Sequence, residues 1–146
     1  MKIILKGVQT PEDALIAAEL GVDALIISNH GGRQLDTAPS SLEMLYYINL
    51  SLRSKNYNKI EIYFDGGIRR GSDVFKAIAF GASAVFLGRP IIWGLACGGK
   101  EGILKVMEIL MKEFIITMKL CGCNSIKDIN ETYLKLPYFL TCNVKF

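Results

Sequence analysis

The sequence predicts an α/β fold in which a parallel sheet is built from four successive β-strand-plus-helix units. Short apolar runs alternate with segments whose apolar residues recur at helical spacing. Three of the four runs are nearly continuous, as expected for parallel strands covered on both faces, and the third is more mixed. The loops with unusual residues all follow strands and precede helices, so we expect them to open on one face of the sheet.

The first unit combines a short strand with a capped helix. Ile3–Leu5 is an apolar run that ends at Lys6-Gly7. Thr10 suits an N-cap, Pro11 suits the first helical position, and Asp13 completes a capping box. The predicted buried face of the helix and its glycine stop are Ala14, Ala17, Ala18, Leu20 and Gly21.

The second unit carries the most distinctive loop of the chain. Its strand is predicted over Asp23–Ser28, and a helix is predicted to begin at Pro39-Ser40-Ser41. Apolar residues then recur near the helical period at Leu42, Leu45, Tyr46 and Leu52.

The last two units repeat the pattern. The third strand is predicted over Ile60–Phe64, with its helix capped by Gly71-Ser72-Asp73 and stopped at Gly81. The fourth strand is predicted over Ala84–Leu87. Two further segments are expected to be helical, a long helix from about Lys100 to Lys119 and a short one near Ser125–Tyr133.

The composition of the chain argues against several classes of function. A chain of 146 residues with 51% hydrophobic and 21% charged residues is typical of one globular domain. The net charge of +3 and the scattered basic residues argue against nucleic-acid binding. No apolar run approaches the roughly 20 residues of a membrane span, and the N-terminal run is too short for a signal peptide.

The four cysteines indicate a reducing compartment with free thiols. Cys121-Gly-Cys123 could be a metal or redox pair, but its spacing is one residue short of the common two-residue loop. No histidine lies nearby in the sequence, so we favour ordinary core or helix-end residues and predict no metal site.

The loop over Ser28–Asp36 contains the only histidine, His30, and an arginine three positions later, Arg33. Histidine is the side chain best suited to take a proton near neutral pH, and arginine can bind a carboxylate with two parallel hydrogen bonds. Both residues follow the end of a predicted parallel strand, where active sites of α/β folds lie. The alternative is a purely structural histidine.

Two consecutive loops combine glycine and arginine. Asp65-Gly66-Gly67-Ile68-Arg69 and Gly88-Arg89-Pro90 each precede a predicted helix, whose N-terminus should offer unpaired N–H groups and a partial positive charge. Phosphate sites in (β/α) barrels commonly lie after the last two strands. We therefore favour a phosphate site over two ordinary tight turns. Lys6, at the end of the first strand, could join this site or remain a surface lysine.

Taken together, these motifs resemble the C-terminal half of the FMN-dependent 2-hydroxy acid oxidases and dehydrogenases. Glycolate oxidase, hydroxyacid oxidase, flavocytochrome b2 and lactate oxidase belong to this family. The resemblance covers roughly residues 1–132, and its most specific segment is Asn29–Asp36. The matching segments, in the order and spacing of the family, are Lys6-Gly-Val, Ser28–Asp36, Asp65–Gly71, Asp73–Ala77 and Gly88-Arg-Pro90.

The resemblance implies FMN as cofactor and a small (S)-2-hydroxy acid as substrate, oxidised to the 2-oxo acid. It implies that His30 is the catalytic base and also contacts substrate, and that Arg33 binds the substrate carboxylate. Lys6 and Ser28 would lie at the flavin, and Asp65 would bind the ribityl chain. The implied phosphate-binding residues are Gly66, Gly67, Ile68, Arg69, Gly88 and Arg89.

The family fold is an eight-stranded TIM barrel, and this chain begins at what resembles strand five. We therefore expect residues 1–146 to form one half-barrel domain, strands five to eight followed by a helical tail, without the N-terminal half of the barrel. Such a half-barrel exposes two sheet edges and an apolar inner face.

Three outcomes remain open, in this order of preference. The chain is a fragment with little turnover, or it pairs with a second half or with itself, or it persists alone as a non-catalytic FMN or phosphate binder. The family implies a peroxisomal or cytoplasmic location. The end, Val144-Lys145-Phe146, is not the Ser-Lys-Leu peroxisomal signal that some relatives carry.

Overall fold

In a computed structural model of the chain, which describes residues 1–135, a parallel four-stranded sheet forms the centre. Its strands are β1 (Ile4–Val8), β2 (Ala24–Ile27), β3 (Glu61–Asp65) and β4 (Ala84–Phe86). The spatial order β1-β2-β3-β4 follows the chain order, and each neighbouring pair is parallel. The predicted parallel α/β fold is therefore confirmed.

Four helices accompany these strands in the described part of the chain: α1 (Pro11–Glu19), α2 (Ser41–Ser54), α3 (Gly71–Ala79) and α4 (Arg89–Leu120). The predicted tail helix over Ser125–Tyr133 is instead two single 3₁₀ turns, Ile126–Asp128 and Glu131–Tyr133. Cys142 and the C-terminal Val144-Lys145-Phe146 lie outside the described residues.

Local capping determines where the first two helices begin. The Oγ1 of Thr10 accepts a hydrogen bond from the N–H of Asp13 at 3.2 Å, and Pro11 occupies the first turn of α1. The Oγ of Ser40 accepts from the N–H of Glu43 at 3.2 Å at the start of α2. Both starts agree with the sequence prediction, because each cap lies within three residues of the group it satisfies.

The start of α4 differs from the prediction. The helix begins at Arg89, directly after β4, and not near Lys100. Non-helical backbone at Gly98 and Gly99, where Gly99 has φ of 57°, divides it into two segments. The sequence pattern revealed only the segment beyond this glycine pair.

The two segments of α4 contact each other through glycine. A Cβ atom added to Gly102 would lie 1.9 Å from the carbonyl oxygen of Gly94. Only hydrogen fits at this position, so the absence of a side chain allows the helix to fold back on itself.

The core has two parts. The larger lies between the sheet, α1 and α2, and its fully buried large side chains are Leu25, Ile27, Leu45, Ile48, Leu52 and Phe64. The smaller lies between α3 and α4, where Phe75 and Phe114 are buried together with Cys123 and Ile129. This second cluster attaches α4 to the rest of the domain.

The edge strands expose apolar side chains. Ile4 in β1 is 49% exposed and Phe86 in β4 is 48% exposed, whereas β2 is largely buried. The expected exposure of apolar residues at the sheet edges is thus present in residues 1–135. Among these residues, no helix has the length and apolar character needed to cross a membrane.

The close contact between Gly94 and Gly102 leads to a prediction about the free energy of unfolding. We expect Gly102→Ala to lower the free energy of unfolding by about 2 kcal/mol, because the added methyl group must separate two backbone segments. Glu101→Ala, at an exposed neighbouring position of the same helix, should change it by less than about 0.5 kcal/mol. Urea unfolding measures both. Equal effects of the two substitutions would contradict the close contact.

Candidate active site

One cavity of about 680 Å³ opens at the carboxyl ends of the four strands. Loops that follow β2, β3 and β4 contribute to it, as the sequence predicted, and β1 contributes Lys6 from within the strand. The predicted site residues that line the cavity are Lys6, His30, Arg33, Asp65, Gly66, Gly67, Ile68, Arg69, Gly88 and Arg89. The structure therefore brings together ten of the eleven.

Ser28 is the exception, because it lies behind the cavity wall and is only 2% exposed. Its hydroxyl oxygen accepts a hydrogen bond from the ammonium of Lys6 at 2.9 Å and another from the N–H of His30 at 3.1 Å. Ser28 thereby links the end of β1 to the loop that carries the imidazole.

Lys6 is not a simple surface lysine. Its Nζ also lies 2.8 Å from Oδ2 of Asp65. Lys6 lies within β1 and not at its end as predicted, because the strand continues to Val8, and its ammonium joins β1 to the end of β3 and to Ser28 just beyond β2. The second carboxylate oxygen of Asp65, Oδ1, is buried and has no hydrogen-bond partner within residues 1–135. A buried carboxylate oxygen without a partner indicates a missing donor.

The His30 loop has an uncommon backbone. His30, Gly31 and Gly32 have φ values of 56°, 69° and 70°, and a histidine in this region is uncommon. The side chain of Asn29 accepts the N–H of Gly32 at 3.1 Å, and Ser41 accepts the N–H of Asn29 at 2.8 Å. These bonds stabilise a turn that presents the imidazole to the cavity.

His30 and Arg33 contact each other directly. Nη2 of Arg33 lies 3.2 Å from Nε2 of His30, and its Nε donates to the carbonyl oxygen of His30 at 3.4 Å. Because a guanidinium can only donate, Nε2 must be the acceptor in this contact. With Nε2 as the acceptor, its lone pair points toward Arg33.

Arg89 connects the last loop to the His30 loop. Its Nη2 donates to the carbonyl oxygen of Gly31, across 58 positions of sequence. A Cβ atom on Gly31 would approach the same nitrogen at 3.2 Å. The first residue of α4 therefore contacts the turn that carries the imidazole.

The expected unpaired N–H groups at the start of α3 are not free, so that prediction is wrong. The N–H groups of Arg69 and Arg70 donate to Oδ2 of Asp73 at 3.0 and 2.9 Å, and the N–H of Gly71 donates to Oε2 of Glu113 at 2.8 Å. Arg70 is the N-cap, rather than the predicted Gly71-Ser72-Asp73. Two carboxylates thus satisfy this helix terminus, which sequence alone suggested as an anion site.

The start of α4 is different. Gly88 is its N-cap and forms no side-chain capping bond, and the first turn contains no acidic residue. Arg89 adds a positive charge beside the cavity. Pro90 has no N–H group, and the N–H of Ile91 donates to the carbonyl oxygen of Gly88 at 3.0 Å. The start of α4 therefore differs from that of α3 in its lack of carboxylates and in the charge of Arg89, and not in a set of free N–H groups.

Glu113, on the second segment of α4, contacts the start of α3. Its carboxylate accepts from Nε of Arg70 at 2.9 Å, and Nη2 of Arg70 lies 2.8 Å from Oε1. The hydrogen bond from Arg70 and the Gly71 N–H lower the pKa of Glu113, while Glu113 raises the pKa of Arg70.

Sequence reasoning missed three residues that shape the site. In the sequence, Asn29 stands out only as part of the Ser28–Asp36 loop, and Ser41 only as part of the helix start at Pro39-Ser40-Ser41. Glu113 lies 43 positions from Arg70, so no local pattern could identify it. Ser41 is only 2% exposed and bonds to the N–H of Asn29, twelve positions away, so only the folded structure reveals this contact as well.

The described residues contain no group of three or more histidine, cysteine and acidic side chains that could hold a metal ion. Cys97, Cys121 and Cys123 are free thiols, and Cys123 is buried in the α3–α4 cluster.

Comparison with known proteins explains this combination of loops. The sequence profile of FMN-dependent dehydrogenases matches residues 1–136. The chain belongs to the FMN-dependent dehydrogenase family. The predicted resemblance to FMN-dependent 2-hydroxy acid oxidases and dehydrogenases is thereby confirmed.

Members of this family match nearly the whole chain. A 2-hydroxyacid oxidase of Dictyostelium discoideum is 51% identical over 134 residues, which are 92% of this chain and 34% of that protein. A peroxisomal (S)-2-hydroxyacid oxidase of Arabidopsis thaliana is 50% identical, with coverage of 92% and 36%. A flavocytochrome b2 structure with sulfite bound superposes with a TM-score of 0.92 at 42% identity, covering 98% of this chain and 37% of that one. The chain spans about a third of the length of these relatives.

The lowered pKa of Glu113 makes the α3–α4 contact sensitive to acid. Its contribution to stability is fully present above the ordinary glutamate pKa of 4.5 and is lost as the pH falls through the lower folded-state value. We expect Glu113→Gln to destabilise the chain at pH 7 and the difference from wild type to shrink toward pH 3. Urea unfolding across this range measures it, with Glu101→Gln on the same helix as control. A difference that stays constant with pH would contradict the contact.

Proposed function

We propose that this chain supplies the FMN phosphate site, the base and the carboxylate-binding arginine of a 2-hydroxy acid oxidase or dehydrogenase. One observation carries the proposal: the imidazole of His30, the guanidinium of Arg33 and the start of α4, whose first turn holds no acidic residue, all border the same cavity. A phosphate site beside a base and a carboxylate-binding group suits a phosphorylated cofactor with an acidic substrate.

The residues present fit FMN. The buried Oδ1 of Asp65 lacks a donor within the described residues, and a ribityl hydroxyl would supply one. Gly66 and Gly67 have φ values of 100° and 84°, a region that favours glycine, and the space beside Gly67 is open to close approach by a ligand. Arg69 and Arg89, with backbone at Ile68 and Gly88, would hold the phosphate.

Lys6 would lie beside the flavin ring, with Ser28 directly behind it. Its ammonium would stabilise negative charge on the ring system, and the bonds to Ser28 and Asp65 hold it in place before the cofactor binds. FMN, when bound, accepts the two electrons that leave C2 of the substrate.

His30 would take the proton released at the substrate carbon or its hydroxyl. The contact with Arg33 requires Nε2 to carry a lone pair, which is the state that a base needs. Arg33 would turn from Nε2 to bind the substrate carboxylate with two hydrogen bonds. This movement would free Nε2 next to the reacting carbon, so substrate binding itself would expose the base.

We further propose that the four strands correspond to strands five to eight of a TIM barrel and that residues 1–146 form one half-barrel domain. Relatives about three times longer share the fold of this segment at high similarity, which supports the assignment. By similarity with the Arabidopsis relative, the location would be the peroxisome, or otherwise the cytoplasm.

A second candidate is a non-catalytic FMN-binding half that associates with another half-barrel or with its own copy. Exposed apolar residues support it, since Ile4 and Phe86 lie on edge strands and Ile92 and Trp93 lie at the cavity. Light scattering over a range of concentrations would distinguish a monomer from an associated form. Association through these edges would make the average molar mass rise with protein concentration.

The first experiment tests turnover. We expect the FMN-loaded chain to bleach its flavin absorbance with lactate or glycolate under anaerobic conditions far more slowly than a full-length oxidase does. The physical reason is that the chain spans about a third of its relatives, so much of their active site is contributed elsewhere. Flavin reduction at the rate of a full-length oxidase would exclude the non-catalytic candidate.

The second experiment tests Arg33. We expect Arg33→Lys to weaken lactate binding to the FMN-loaded chain about tenfold or more, because an ammonium cannot form the two parallel bonds of a guanidinium. FMN affinity should stay unchanged. Arg53→Lys, at an exposed position near the end of α2, is the matched control. Calorimetric titration with lactate and with FMN measures both affinities, and equal losses in the two would overturn the assigned role.

A further inference from the structure

The helix α4 is connected to the proposed phosphate site at two places, one direct and one through a neighbouring loop. Its first residue, Arg89, lines the cavity, and its second segment carries Glu113. Glu113 contacts the loop that follows β3, on which the other cavity-lining arginine, Arg69, lies. One helix therefore contributes one arginine of the site and also contacts the loop that carries the other.

The contact between Glu113 and this loop has several bonds. The Nε of Arg70 lies 2.9 and 3.0 Å from the two oxygens of Glu113, and the N–H of Gly71 donates to Oε2 at 2.8 Å. A guanidinium and a backbone N–H held by one carboxylate restrict both the side chain and the main chain of the loop.

Backbone packing reinforces the contact. A Cβ atom on Gly71 would lie 2.1 Å from the backbone nitrogen of Phe114, so the start of α3 rests directly on α4. Phe114 is itself buried against the α3–α4 cluster. The position of Arg69, two residues before Gly71, is thus tied to α4 through adjacent residues.

The same carboxylate also changes which helix start can receive an anion. Glu113 and Asp73 together occupy the N–H groups of Arg69, Arg70 and Gly71. An anion entering the cavity therefore meets the start of α4 and the side chain of Arg69, rather than the start of α3.

We infer that Glu113 is a positioning residue for the flavin phosphate: by holding Arg70 and Gly71, it sets the spacing between Arg69 and the N-terminus of α4. This inference rests on the proposed function. Glu113 touches neither the cavity nor the cofactor in this assignment and acts through Arg70 and Gly71. Its removal should therefore affect binding of the phosphate more than binding of the ring.

The test compares FMN with riboflavin, which lacks the phosphate. Binding to the 146-residue chain is followed by flavin fluorescence. We expect Glu113→Gln to weaken FMN binding about tenfold and to leave riboflavin binding unchanged, so that the preference for FMN falls by the same factor. Glu108→Gln, which removes a glutamate of the same helix that is ion-paired with Lys105, should leave the preference at its wild-type value.

A second variant and a second measurement distinguish a positioning role of Glu113 from a purely stabilising one. We expect Arg70→Gln to lose part of the preference for FMN, because Glu113 keeps its bond to the N–H of Gly71. The Arg70→Gln/Glu113→Gln double variant should lose no more than Glu113→Gln alone, because both lack the Arg70–Glu113 ion pair and the Gly71 bond to a carboxylate. Thermal unfolding identifies the temperature at which each variant is folded, and binding is compared there. Parallel losses for FMN and riboflavin, or an unchanged preference in Glu113→Gln, would overturn the inference. Wild-type chain that binds FMN no better than riboflavin would instead overturn the proposed function.

Discussion

The ion pair and hydrogen bond of Lys6 join the strand ends on which the cavity depends. Its ammonium reaches Asp65 at the end of β3 and Ser28 just beyond β2, and Ser28 in turn holds the backbone of His30. Lys6 is about half exposed, so the pair contributes little to stability. Its importance is geometric, because three separate strands meet at one charge. The arrangement also leaves one oxygen of Asp65 buried and unpaired within the described residues, which makes the site suited to a hydroxyl-bearing ligand.

Two loops of similar sequence differ in the charges that surround the helix start that follows each of them. Both loops combine glycine with arginine and precede a helix, and both border the same cavity. The start of α3 is satisfied by Asp73 and Glu113, whereas the start of α4 has no side-chain cap and no acidic residue in its first turn. A partial positive charge that already has carboxylate partners attracts a further anion weakly. The start of α4, which has no acidic residue in its first turn and begins with Arg89, therefore carries less negative charge than the start of α3.

Hydrogen bonds hold the imidazole of His30 and the guanidinium of Arg33 in contact with each other. Arg33 donates to Nε2 of His30, and Arg89 donates to the carbonyl oxygen of Gly31 one residue later. The backbone of this turn is left-handed at three successive residues, a conformation that needs outside support. Ser28, Asn29 and Ser41 supply that support through hydrogen bonds to main-chain N–H groups. The imidazole is thus held by neighbouring strands and helices as well as by its own loop.

The sequence by itself determined the parallel α/β fold, the starts of α1 and α2, and the loops that carry the candidate site. These features depend on groups within about four residues of each other, such as Thr10 with Asp13, or on the apolar pattern of single strands. Tertiary structure decided the rest. The pairing of Glu113 with Arg70 spans 43 positions, and the two segments of α4 fold back on each other at Gly94 and Gly102. Whether a helix terminus is open or occupied depends on side chains from distant segments, and their approach is set by the packed fold and not by local sequence.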